Sequence, residues 1–210
     1  MNLKLRNILS DPEFWLILGF NGLFVYMYQI KQLDAGDIIW IYFIQSLFIG
    51  LQYIIRMLAI GSRSEGKGRL SMPLFFLLHY GGFHFVYLIF LTVITASSDQ
   101  IGFNTVNLIP AIGLLALNLL FSARSDIISD KEAKLGPGNL FFIPYLRIAP
   151  MHLFIILGFN QGLDSKIPWL HWQDPFLIFI VLKTFSDIIL HILVNKTYQG
   201  RRPRSFRNIE

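Results

Sequence analysis

The stretch PFLIFIVLKTFSDIILHILVNK, residues 175–196, decides how the chain is read: it is almost wholly apolar and yet carries Lys183, Asp187 and His191. Helical residues advance by about 100°, so positions four apart share a face, and a cation, a carboxylate and an imidazole form one stripe along the segment. A run of about 20 apolar residues is long enough to cross a bilayer. At that depth a charged side chain costs several kcal/mol unless it pairs, binds an ion or lines a wet cavity. The stripe is therefore a candidate site, and the rest of the chain must supply its partners.

Composition extends this reading to the whole molecule. Of 210 residues, 54% are hydrophobic, 15% aromatic and only 15% charged, and the mean hydropathy is positive. Soluble domains carry about 25% charged residues, whereas here the charges gather between apolar runs. Six stretches qualify as spans: 13–30, 37–60, 72–95, 101–123, 140–160 and 175–196. The expected fold class is all-α, a polytopic transmembrane bundle of six helices forming one domain over residues 1–210, with no internal repeat. The basic amino terminus lacks a small-residue cleavage site, so no signal peptide is expected.

Loop charges set the expected sidedness. Lys4 and Arg6 precede the first span, Arg63, Lys67 and Arg69 follow the second, Arg124, Lys131 and Lys134 follow the fourth, and an arginine tail follows the sixth. The alternate loops hold only Lys31 and Lys166 among several aspartates. The positive-inside rule then puts both termini in the cytoplasm, in agreement with an even span count, and places a multi-pass protein in the cell inner membrane. The basic tail reads as a contact to anionic membrane lipids, not to nucleic acid. Asp11-Pro12-Glu13 reads as a helix start and Gly136-Pro137-Gly138 as a break before the fifth span. Residues 125–134 read as a short charged surface helix, and 164–174, with Trp169, His171 and Trp172, as an outer interfacial loop.

Absence of cysteine excludes disulfides, iron–sulfur clusters, thiolate metal sites and a Cys nucleophile. Any metal must then sit on nitrogen and oxygen. Four of the five histidines lie inside the expected spans, where histidine is rare. His79 and His84 flank Gly81-Gly82, whose lack of side chains marks the third span as the central helix, but they stand about 140° apart and cannot both face one site. His79 and His191 lie at similar depth, with Asp187 and His152 one turn or so deeper. The expected metal ligands are His79, His152, Asp187 and His191, with His84 in reserve; a divalent metal, zinc first, suits such donors. Each histidine alone is accounted for by hydrogen-bonded packing, and Lys183 by a salt bridge to Asp187. Arg56 and Arg147 are near enough to the cytoplasmic edge to snorkel or to anchor phosphate or a lipid headgroup. Gln45, Gln52, Asn21, Asn104, Asn107 and Asn118 are expected to knit helices together.

The motifs His79-Tyr-Gly-Gly-Phe and Lys183-Thr-Phe-Ser-Asp187-Ile-Ile-Leu-His191 resemble those of a family of small bacterial polytopic membrane proteins of unknown function, over most of the chain. More loosely, histidines and an aspartate within a helical bundle are similar to the zinc-dependent membrane hydrolases of the alkaline ceramidase and adiponectin receptor type. Those have seven spans and a His-x-x-x-His pair, against six and Asp-x-x-x-His here. That resemblance implies a hydrolase of a lipid ester or amide, with Lys183 and Asp187 as catalytic groups beside a metal-bound water. Two other classes fit the same residues: a proton-coupled transporter or channel built on Lys183, Asp187 and His191, and a b-type haem protein.

Overall fold

The computed structural model describes residues 12–61, 70–97, 104–158 and 175–201. Among them are seven α-helices and no strand: α1 (Pro12–Gln29), α2 (Ala35–Gly61), α3 (Ser71–Ser97), α4 (Thr105–Glu132), α5 (Pro137–Phe141), α6 (Ile143–Gly158) and α7 (Pro175–Arg201). The six long helices fall on the six apolar stretches. Residues 164–174 and the arginines beyond 201 lie outside the described residues.

Helix ends follow local chemistry. Pro12 opens α1, and Lys31 and Lys134, at φ 57° and 50°, end α1 and α4 in the left-handed conformation. Beyond each, a backbone N–H closes on the last turn: Gln32 N on Met27 O and Leu135 N on Asp130 O, both at 3.0 Å. Residues 125–132 are not a separate surface helix, because nothing between Pro110 and Gly136 breaks the backbone and the charged segment simply continues α4. Gly136-Pro137-Gly138 does break the chain, and Pro137 occupies the first turn of α5.

Long-range contacts fix the helix directions. Asp37, near the start of α2, accepts from Asn104 N at 2.6 Å and from Asn107 Nδ2 at 2.7 Å, at the start of α4. Near the other ends of both helices, Gln52 Nε2 donates to Asp126 at 2.5 Å and Arg56 makes two 2.8 Å bonds to Asp130. Helices α2 and α4 are therefore parallel. His79 meets Tyr145 and Tyr87 meets His152, so α3 and α6 are also parallel. Tyr80 lies against Gly50 and His84 against Ser46, which makes α2 and α3 antiparallel.

The central helix is α2, not α3. It packs against α3, α4, α5 and α6, while α7 lies on α6 and α1. The glycine pair does not mark the close approach: a methyl at Gly81 or Gly82 would meet nothing within 4 Å, whereas one at Gly50 would stand 2.5 Å from the Tyr80 ring. That ring cannot retreat, because it stacks on Phe76 at 4.8 Å and its hydroxyl donates to Ser46 O at 2.9 Å. Gly50→Ala is expected to cost about 1–3 kcal/mol of overpacking. Gly81→Ala and Gly82→Ala are expected to be neutral or slightly stabilising, and detergent unfolding curves of the three variants check the contrast.

Polarity is inverted relative to a soluble domain. Leu78, Ile109, Leu114, Leu120 and Phe142 are each at least 67% exposed, while Asp37 and Asp130 are wholly buried and Arg56, Lys183, His84 and Asn21 nearly so. Among the described residues two helices, Ala35–Gly61 and Ser71–Val93, are long and apolar enough to cross a membrane.

Candidate functional site

The stripe on α7 faces inward, as its composition requires. Lys183 Nζ donates to Asp187 Oδ2 at 2.5 Å, across one helical turn, and lies 4.8 Å from the centroid of the Tyr42 ring on α2. Tyr42 is held in turn, its hydroxyl donating to Asn21 Oδ1 of α1 at 2.6 Å. Asp187 Oδ1 is buried with no hydrogen-bond partner. His191, a turn further on, is half-buried. The neighbouring Ser186 ties α7 to α6 by donating to the Leu146 carbonyl.

Beside Lys183 is a small hollow, about 10 Å³ in volume, lined by Tyr42, Gln45 and Ser46 of α2, Arg147 of α6, and Phe179 and Lys183 of α7, with apolar Ile49, Ile148 and Met151 between them. Its size is near the minimum for one water molecule. Arg147 Nε is buried there without an acceptor. Two cations and one carboxylate thus meet at the junction of three helices, and the carboxylate keeps one oxygen open.

A hydrogen-bonded path leaves the hollow through Ser46. Its hydroxyl lies 2.8 Å from Phe43 O and 2.7 Å from His84 Nε2, and it has one proton for these two neighbours. His84 Nδ1 faces the Tyr80 carbonyl at 2.9 Å and must carry hydrogen to bond it. A neutral His84 then accepts from Ser46. An imidazolium donates to Ser46, whose proton turns to Phe43 O. Both protonation states leave every group bonded, so this serine–histidine pair can hold a proton without a buried orphan, although His84 Nδ1 ends on the Tyr80 carbonyl.

The expected metal ligands do not gather. His79 and His152 stand on the outer side of the α3–α6 seam, where His79 Nδ1 pairs with the Tyr145 hydroxyl at 2.8 Å and His152 Nδ1 with that of Tyr87 at 3.0 Å. Asp187 is taken by Lys183. Among the described residues no three His, Asp or Glu side chains come close enough to hold a metal ion. Equal depth along separate helices was a poor guide, because aromatic hydroxyls on facing helices satisfy the imidazoles first. As placed, these residues do not fit a zinc site.

Arg56 does not snorkel: it is buried and forked onto Asp130, with Asp126 3.8 Å away. Asp37 is the shared anchor of the α2 and α4 starts. The amides act as helix ties at Asn21, Gln52 and Asn107, whereas Gln45 lines the hollow.

The model of a family of unknown function (DUF6498) matches residues 4–204. The chain belongs to that family. No curated protein and no solved structure matches it, and nothing in these comparisons points to the zinc-dependent membrane hydrolases. The DUF6498 match takes in all four histidines of the helices and all of the lining of the hollow, so the site lies within the family region and not in an appendage to it.

Proposed function

We propose that the protein is a six-span inner-membrane carrier that moves a proton through the bundle, with both termini in the cytoplasm and Lys183–Asp187 as the proton-handling pair. One observation carries this reading: a buried lysine–aspartate pair beside a hollow that holds a second cation, Arg147, while Asp187 keeps an unpartnered oxygen. Buried ionic groups at membrane depth line ion or proton paths far more often than they stabilise a fold.

The surroundings support it. The apolar exterior suits lipid, and four charged side chains, Asp37, Arg56, Asp130 and Lys183, are buried inside the bundle. An alternating six-span topology requires α2 parallel to α4, α3 parallel to α6, and α2 antiparallel to α3. Those are the directions fixed by the Asp37, Arg56, His79, His152 and Tyr80 contacts.

In this reading a proton taken onto Asp187 dissolves the ion pair and frees Lys183 to turn toward the hollow. Loss of the proton restores the pair. Ser46 and His84 extend the polar lining on the α2–α3 side. The experiment is proton movement in proteoliposomes carrying an imposed pH gradient, followed with an entrapped pH dye in a medium of mixed halide, nitrate and formate salts. Movement above the leak of protein-free vesicles is expected. Vesicles as tight as protein-free ones would end the carrier reading.

A further inference from the structure

We infer that the hollow between α2, α6 and α7 is a binding site for one small monovalent anion of halide size; its role as cargo rests on the carrier reading, its existence does not.

Charge comes first. Arg147 and Lys183 bring two positive charges and Asp187 one negative, which leaves a net positive charge among apolar walls made by Ile49, Ile148, Met151 and Phe179. Lys183 is buried and Arg147 half-buried with its Nε shielded, so the excess is unfavourable there unless an anion cancels it. One monovalent anion does so; a divalent one reverses the sign.

Donor chemistry agrees. Arg147 Nε–H is buried beside the hollow and has no acceptor. Gln45 contributes an amide and Lys183 an ammonium to the same lining, while the one Ser46 proton is already engaged by Phe43 O or His84. The one carboxylate that could compete, that of Asp187, is held on Lys183 from one side. Arg147 Nε–H is the donor in this lining that lacks an acceptor.

Size then selects the class. A hollow of about 10 Å³ admits something on the scale of a water molecule. A phosphate, a lipid headgroup or a long-chain carboxylate does not fit without rebuilding the walls. A halide fits with small shifts of the Lys183 and Gln45 side chains, and apolar walls favour an ion that sheds water readily.

Binding of the anion and of the proton should reinforce each other. The charged and titratable groups around Asp187 are Lys183, which pairs with it, Tyr42 on α2 beneath the Lys183 ammonium, and Arg147 on α6 across the hollow, with His191 one turn further along α7. Protonating Asp187 raises the local excess from one positive charge to two. The anion is then held more tightly as pH falls.

The test is calorimetric titration of sodium chloride into the full-length protein in detergent, exchanged into sodium gluconate of equal ionic strength, at mildly acid and mildly alkaline pH. Saturable chloride binding, tighter at the acid pH, is expected. Arg147→Gln should weaken it on the order of tenfold or more, the loss of a charged donor. Gln45→Met, which keeps the packing volume, should weaken it severalfold, and Lys134→Gln, at an exposed position away from the hollow, should leave it unchanged. Absence of saturable chloride binding overturns the site. So does wild-type affinity in Arg147→Gln and Gln45→Met proteins that unfold like the parent. Chloride binding by a protein whose vesicles stay proton-tight upholds the site and ends the carrier reading.

Discussion

Asp130→Ala is expected to destabilise the protein by about 3–5 kcal/mol, the largest effect of any single substitution outside the hollow. Asp130 is wholly buried, and both its oxygens accept from Arg56, at 2.8 Å each. Removing it leaves a guanidinium in a dry interior without its forked carboxylate, with Asp126 at 3.8 Å, already accepting from Gln52, and the Tyr53 ring at 4.5 Å in partial compensation. Arg56→Met should also destabilise, because Asp130 loses both hydrogen bonds of its guanidinium partner. The double variant Arg56→Met/Asp130→Leu should recover most of the loss, because a packed apolar pair of similar volume replaces an ion pair whose desolvation nearly cancels its attraction. Unfolding in mixed detergent measures all four proteins. If each single substitution cost no more than a surface one, the pair would not be shielded from water.

The second large effect concerns transport. Lys183→Met and Asp187→Asn are each expected to reduce proton movement in vesicles to the protein-free leak, for different reasons. Without Lys183, Asp187 loses the cation that draws the proton off again. In Asp187→Asn the acceptor itself is gone, and Lys183 and Arg147 face each other uncompensated. The stability consequences separate the two: stranding cations should be felt as a lower unfolding temperature in gluconate that chloride partly restores, while Lys183→Met gains less from chloride. His79→Ala and His152→Ala lie on the outer seam and should retain transport. Loss of transport in those two, with the Lys183 and Asp187 variants active, would move the path to the α3–α6 seam.

How much of this was legible in the sequence depends on what each residue reports. Apolar length is a local property, so the six long helices were readable, and α2 and α7 begin within two residues of their expected starts. Which groups meet is not local. Arg56 and Asp130 lie 74 positions apart and had looked like a snorkelling cation and a surface acid. Gly81-Gly82 carries the more familiar packing signal, yet Gly50, a lone glycine, receives the Tyr80 ring. Depth placed His79, His152 and Asp187 near one another, but rotation about each axis sends the first two to Tyr145 and Tyr87 instead. Lys183 and Asp187 were legible because both lie on one helix four residues apart. Arg147, Gln45 and Ser46 complete the hollow from two other helices, and no spacing rule connects them.

The most direct measurement is infrared difference spectroscopy of the protein in lipid as pH is lowered. Protonation of Asp187 should produce a carboxylic C=O stretch that is missing in Asp187→Asn and altered in Lys183→Met. A spectrum in which that band never appears, or persists unchanged in Asp187→Asn, would show that the acid beside Lys183 takes up no proton and would contradict the account.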